Sequence, residues 1–230
     1  MPQPWKACSG RWWNNVKIGI VGGTGDIGEG MAMRLSPQFD VLIGSRDETK
    51  AGESSRECYA TITGRGLPCS IAGMSNREAA EGADVVIIAV PFQHLEGTVS
   101  GLGSLAGKIV ISPVNPLVKK DFFSFVPPAE GSAAMLVKKM LPDARVCSAF
   151  NAIAANKWRA LTEELEYSVP VCGDDSDAKK IVMDIVNRVS RLKAFDAGPL
   201  EVSAMVESLT PLLLNIARYN RMHDVGILFR

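Results

Sequence analysis

Strand-like apolar segments recur along the chain at residues 16–21, 39–43, 67–72, 83–90, 108–112 and 145–150, with helical stretches between them. The central ones, such as Val85-Val86-Ile87-Ile88, are continuous apolar runs, as expected of parallel strands covered on both faces. The first intervening helix shows Ile27, Met31 and Leu35 at i, i+4 and i+8 and must end before Pro37. Strand and helix alternating at this spacing predict an α/β fold built on a doubly wound parallel sheet with right-handed crossovers. Past Asn151 the pattern changes to one strand at 168–172, a helix at about 177–189 and a long amphipathic stretch at 201–220. We read 16–150 as a dinucleotide-binding domain and 151–230 as a small C-terminal α/β domain that closes the cleft and supports dimerisation. In its last stretch Val202, Met205, Val206, Leu209, Leu212, Leu213 and Ile216 form a wide apolar stripe, read as core packing ahead of a dimer face. Pro211 is expected to kink or interrupt that helix, and Pro127-Pro128 marks a loop.

Residues 1–15 show no periodicity and hold three of the four tryptophans, Trp5, Trp12 and Trp13. We read them as an N-terminal extension, with natural translation expected from Val16. The extension lacks the apolar core of a secretory signal, and the longest apolar run, 85–90, is far short of the roughly 20 residues that cross a bilayer. A cytoplasmic protein without a membrane span is expected.

Charge and rare residues narrow the chemistry. Lysine plus arginine (25) equal aspartate plus glutamate (25), so no cationic field attracts nucleic acid. Five cysteines without a Cys-x-x-Cys pair read as reduced thiols, and Cys147 and Cys172 as core residues. With only two histidines, His94 and His223, neither a zinc site nor a Ser-His-Asp triad has support, and no metal site is expected. Asp174, Asp175 and Asp177 open a helix and are read as its cap.

Directly after the first strand comes Gly22-Gly23-Thr24-Gly25-Asp26-Ile27-Gly28. Gly23, Gly25 and Gly28 fit Gly-x-Gly-x-x-Gly, where the first permits the tight turn, the second admits a pyrophosphate and the third lets the helix pack on the strand. Strand, glycine loop and helix together specify a Rossmann-like unit, with the helix N-terminus facing the pyrophosphate. At the end of the second strand, where an NAD enzyme places an acid on the ribose, stands Ser45, followed by Arg46 and, one helical turn on, Lys50. A guanidinium forks onto a 2′-phosphate and a lysine adds charge, so NADP is selected over NAD. A Ser45/Glu48 capping box with Arg46 and Lys50 solvated is the competing reading, and both can hold at once. His94, one turn past Val90-Pro91, and Asn115, after the fifth strand, fall at the carboxyl rim where open α/β sheets bind ligands; a surface histidine is the competing reading of His94. Asn151 and the small Ala152, Ala154 and Ala155 follow the sixth strand; the small side chains would let a flat ring approach and are equally compatible with helix packing.

With the glycine loop at 22–28, Gly44-Ser45-Arg46 with Lys50, Val90-Pro91, Val-Pro-Val-Cys-Gly-Asp-Asp at 169–175, Asp-Ala-Gly-Pro-Leu at 196–200 and Val-Glu-Ser-Leu-Thr-Pro-Leu at 206–212, the chain resembles the archaeal coenzyme F420:NADP oxidoreductase family from Val16 to its end. The resemblance implies reversible hydride transfer between NADP(H) and coenzyme F420, a 5-deazaflavin, by a homodimer. By position it assigns Thr24, Gly25, Asp26 and Ile27 to the pyrophosphate loop and Ser45, Arg46 and Lys50 to the 2′-phosphate. It places Val90, His94, Asn115 and Ala155 near the nicotinamide and Val225 over the deazaflavin. Some members carry His-Thr-Ile-Pro where this chain has Asn151-Ala152-Ile153-Ala154, and others share its Asn. Hydride passing between two bound rings needs orientation and exclusion of water rather than a protein acid, so no catalytic side chain is expected. The alternatives are an NADPH-dependent reductase of an imine, ketone, hydroxy acid, flavin or ferric complex, and a non-catalytic NADP-binding sensor.

Overall fold

The computed structural model describes residues 16–230, so the reading of the first fifteen residues lies outside the described residues. The chain runs β1 (Lys17–Val21), α1 (Asp26–Leu35), β2 (Asp40–Ser45), α2 (Glu48–Thr63), β3 (Ser70–Ser75), α3 (Asn76–Gly82), β4 (Val85–Ile88), α4 (Leu95–Ser100) and β5 (Ile109–Ser112). A small hairpin of β6 (Leu117–Lys119) and β7 (Phe123–Phe125) precedes α5 (Ala133–Met140) and β8 (Arg145–Ser148). Then follow α6 (Ala155–Arg159), β9 (Ser168–Gly173), α7 (Ser176–Asn187), β10 (Lys193–Gly198) and α8 (Ser203–Asn220).

The main sheet has the order β3-β2-β1-β4-β5-β8-β9-β10. Every neighbouring pair is parallel except β8 with β9, which are antiparallel. The C-terminal strands thus extend the same sheet, with a reversal of direction between β8 and β9. Strand order reverses between β1 and β4, the switch point at whose carboxyl ends open α/β sheets bind ligands. The unbroken apolar runs resolve into two alternating faces. Val85 and Ile87 of β4 join Met31, Leu35, Ile62, Trp158 and Ile185 beneath α1, α2, α6 and α7. Val86 and Ile88 join Leu95, Val110 and Val137 beneath α3, α4 and α5. Each face removes its side chains from water, which is why no polar alternation marks these strands.

Two expectations for the last helix are corrected. Pro211 sits inside α8 without ending it. The helix is held before the missing N–H by the Glu207 side chain on α5 and the Thr210 hydroxyl on the Asn151 carbonyl, and after it by the Asn215 side chain on Phe123. Nor is the apolar stripe mainly core: Val206 is buried, whereas Met205 is 72%, Leu212 54% and Ile216 37% exposed. The buried face is instead Ser203, Val206, Glu207 and Pro211. Residues Leu200–Asn220 are long and apolar enough, at mean hydropathy 1.3, to match a membrane span. Four of their polar residues, Ser203, Glu207, Thr210 and Asn215, bond to the rest of the protein.

Candidate dinucleotide site

The loop between β1 and α1 is shaped by close approaches. Gly22, rather than Gly23, takes the left-handed conformation (φ 75°), and a Cβ there would lie 2.5 Å from Val90 Cγ1. The Gly22 amide donates to Asn76 Oδ1 at 2.9 Å, and that of Gly23 to the Gly44 carbonyl at 2.8 Å, tying the loop to α3 and β2. At Gly28 a Cβ would meet Gly23 Cα at 2.6 Å, so the helix rests directly on the loop. Gly25 is different: its only near neighbour would be the Gly22 carbonyl oxygen at 3.5 Å. Gly25 is also the N-cap of α1 and brings no side-chain acceptor, so the first amides of the helix keep their donors open.

Beside this loop, Thr24 Oγ1 donates to Ser45 Oγ at 3.3 Å, and the Asp47 amide donates to the same oxygen at 3.2 Å. The buried Ser45 hydroxyl therefore accepts twice and retains its own proton to donate. The cap of α2 is Asp47, not Ser45: its carboxylate accepts from the Thr49 and Lys50 amides at 3.0 and 3.3 Å. The Ser45/Glu48 capping box is therefore corrected, because Ser45 is already engaged by the glycine loop. Arg46 and Lys50 are exposed and, among the described residues, make no ion pair or hydrogen bond through their side chains.

Towards the other end of the rim, Val90 is half-buried over Gly22, and Asn115 and Asn151 form one network. Asn115 Nδ2 donates to the Asn151 carbonyl at 2.8 Å, where Thr210 Oγ1 of α8 also donates at 2.8 Å. Asn151 Nδ2 donates to Asn115 Oδ1 and to the Val114 carbonyl, both at 3.3 Å, while its Oδ1 accepts from Ser148 Oγ at 3.0 Å. The preceding Phe150 is left-handed (φ 67°), a strained state for a bulky residue, and packs edge-on against buried Trp158. His94 is exposed at the end of a 3-10 turn, Phe92–His94, with Nε2 beside Gln93. Ala155 opens α6, half-buried. Val225 lies in the C-terminal tail, which is fixed by the Tyr167 hydroxyl donating to Asp224 and the Ser168 amide to the Ile227 carbonyl.

The structure thus joins the glycine loop, Ser45 and Val90 by direct contact and Asn115 with Asn151 by hydrogen bonds. His94, Ala155 and Val225 are linked to neither group by a hydrogen bond among the described residues. Sequence reasoning missed Asn76, Thr210 and Glu207. The last two stand in the quoted 206–212 motif, so a signal for them existed. Glu207 is fully buried, with Oε2 and Oε1 accepting from the Ala133 and Ala134 amides at 2.8 and 3.0 Å. Burial pushes its carboxyl up to about 7, against the two amides that favour the anion. Burial likewise raises the thiols of Cys58, Cys147 and Cys172, as fits core residues rather than nucleophiles.

An open-ended helix after a glycine turn at the sheet's switch point, with the exposed cations Arg46 and Lys50 beyond β2, defines a Rossmann dinucleotide-binding protein. The family model for coenzyme F420-dependent NADP oxidoreductases matches residues 17–116. An F420-dependent NADP reductase of Methanocaldococcus jannaschii is 36% identical over 216 residues, 92% of this chain and 97% of that protein. One from Methanothermobacter thermautotrophicus is 32% identical, covering 92% and 94%. A crystal structure assigned as an F420-dependent NADP-reductase candidate from an Arthrobacter species superposes with a TM-score of 0.76 at 20% identity, covering 95% and 99%, and shows the shared fold. This chain belongs to the coenzyme F420-dependent NADP oxidoreductase family.

Proposed function

We propose that the chain transfers hydride reversibly between NADP(H) and coenzyme F420. The observation that carries this reading is the uncapped N-terminus of α1 set beside Ser45, Arg46 and Lys50, in a chain alignable over nearly its whole length with F420-dependent NADP reductases. The residues fit the nucleotide. Gly25 leaves open space where a Cβ would otherwise stand, and the Ser45 hydroxyl has a proton to give.

In this reading the backbone of Gly23, Thr24, Gly25, Asp26, Ile27 and Gly28 holds the pyrophosphate through unshared amides and the helix dipole. Ser45 donates to the 2′-phosphate, while Arg46 and Lys50 neutralise it. Val90, His94, Asn115 and Ala155 line the nicotinamide end. Asn151 acts there through Asn115, because its own amide is engaged within the protein. Val225 closes over the second ring, carried by the tail fixed on Tyr167 and Ser168. When bound, the nicotinamide and deazaflavin rings supply the hydride chemistry, and the chain contributes orientation and exclusion of water.

The same reading assigns residues 16–150 to the nucleotide and 151–230 to the cap, with Thr210 on Asn151 joining the two. The cap also forms a homodimer through the outer face of α8, where Met205, Leu212 and Ile216 stand exposed. The enzyme works in the cytoplasm, in keeping with free thiols at Cys58, Cys69, Cys147 and Cys172.

The test is to mix the purified protein with NADPH and oxidised coenzyme F420 and follow the deazaflavin's visible absorbance, with NADH and FMN in parallel. Bleaching that requires NADPH and F420 together is expected. Tight NADPH binding without bleaching would withdraw the deazaflavin and leave the nucleotide site standing.

A further inference from the structure

The first turn of α1 carries two carboxylates, Asp26 and Glu29. Acids there stabilise a bare helix by opposing the positive end of its dipole, but they set negative charge beside any anion drawn to the same amides. Arg159, the last residue of α6, closes over both. Its Nη1 lies 2.7 Å from Asp26 Oδ1 and 3.3 Å from Glu29 Oε2. The other Glu29 oxygen accepts from Ser54 Oγ at 3.0 Å.

The position of α6 is set independently of these ion pairs. A Cβ on Gly30 would stand 2.5 Å from Trp158 Cβ and 2.9 Å from the Trp158 carbonyl carbon, so α6 packs against α1 where only a glycine leaves room. Arg34 donates to the carbonyls of Lys157, Trp158, Ala160 and Glu163 at 2.7–3.0 Å, holding the end of α6. The Arg159 side chain is nevertheless 48% exposed, facing solvent beside Asp26 at the mouth of the site.

We infer that Arg159 is a positioning residue for the dinucleotide pyrophosphate, cancelling the charge of Asp26 and Glu29 so that the α1 amides present a net attraction to an anion. The inference rests on the reading of the α1 N-terminus as the pyrophosphate site. It differs from the role of Arg46 in a measurable way. Arg159 acts on the part of the nucleotide that NADP and NAD share, and Arg46 on the part that distinguishes them.

The experiment is equilibrium binding of NADPH and of NADH to the full chain, to Arg159→Gln, to Asp26→Asn/Glu29→Gln, and to the triple variant combining all three. Arg159→Gln should weaken both nucleotides about tenfold, leaving their ratio unchanged. The loss should shrink as salt rises. The triple variant, which keeps the Asp26 backbone amide but lacks both charges and the cation, should bind both nucleotides more tightly than Arg159→Gln does. The double variant, in which the cation is unopposed, should bind both more tightly. Should Arg159→Gln fail to fold, the double variant decides alone, and unchanged or weaker binding overturns the proposal. Wild-type affinity in Arg159→Gln, or a triple variant as weak as Arg159→Gln, also overturns it. If the wild-type chain binds neither nucleotide, the reading of α1 falls and the proposal with it; if it binds and Arg159→Gln matches it, the proposal alone falls.

Discussion

Alanine at Gly25 and at Gly28 should separate nucleotide binding from folding. A Cβ at Gly28 would lie 2.6 Å from Gly23 Cα and 2.7 Å from the Gly22 carbonyl oxygen, both backbone atoms that cannot rotate away. Forcing the helix off the loop costs about 1–3 kcal/mol, against about 1 kcal/mol regained from alanine's helix propensity. For a chain of this size, a net loss of up to about 2 kcal/mol lowers the melting temperature by up to roughly 8 °C. At Gly25 the backbone (φ −86°, ψ 164°) suits alanine, and the added methyl would have one neighbour at 3.5 Å. There the reduced entropy of the unfolded chain and the poorer N-cap nearly cancel, within about 0.5 kcal/mol. Yet that methyl projects into the space assigned to the pyrophosphate. Gly25→Ala should therefore melt within about 2 °C of wild type while losing at least about tenfold in NADPH affinity. Gly28→Ala should lose both stability and affinity. Thermal melting followed by NADPH titration checks the pair. A Gly25→Ala protein that binds NADPH normally would refute the assignment of that open space.

Replacing Arg46 with alanine removes a side chain that has no partner among the described residues, so its effect should appear in binding and not in folding. Loss of one charged hydrogen bond, about 1.5–3 kcal/mol, should raise the KM for NADPH about 10- to 150-fold with little change for NADH; equal losses would mean that Arg46 does not meet the 2′-phosphate. Glu207 makes stability depend on pH: its carboxyl is raised from 4.5 to about 7 on folding, so the folded state holds the extra proton between those values. Stability should therefore fall by about 3 kcal/mol as pH rises from 4.5 to 7, and Glu207→Gln should flatten that slope in thermal melts; matching slopes would sink the argument. For the proposed dimer, sedimentation velocity should give a dimer for the wild type and a monomer for Met205→Glu/Leu212→Glu on the exposed face of α8; an unchanged dimer in the variant would move the interface elsewhere, and a monomeric wild type would withdraw it.

The parallel half of the sheet and the glycine loop were legible because their signals are local. A strand covered on both faces shows as an unbroken apolar run, and β4 and β5 do so; a loop that passes within van der Waals distance of β4 and its own helix must use glycine, as at Gly22 and Gly28. Direction is not local. The apolar run of β9 looks like the others, yet it pairs antiparallel to β8, a choice made by the connection through α6 and not by its own residues. The hairpin of β6 and β7 escaped notice because three-residue strands leave no period to read. The stripe on α8 misled for a related reason, since periodicity reports a face but not which side meets the protein. That side was chosen by Glu207 and Thr210, whose partners Ala133, Ala134 and Asn151 lie 59 to 74 residues away in sequence.

Phe150 shows why those distant contacts matter to the site. A left-handed phenylalanine costs about 1–3 kcal/mol and persists only where its surroundings over-determine it. Here Trp158 packs against the ring, and the next residue, Asn151, is held by Ser148, Val114, Asn115 and Thr210. The unusual turn sends the Asn151 side chain back across the ends of β5 and β8 while presenting its carbonyl to α8. One asparagine thereby fixes Asn115, at the nicotinamide end of the proposed cleft, and the helix whose outer face is open to a second subunit. Movement of α8 cannot leave Asn115 untouched, because both donate to the same oxygen. It follows that, in the proposed dimer, a change in subunit contact at Met205 or Leu212 should be felt first at the Asn115 end of the cleft and last at Arg46, which among the described residues shares no bond with this network.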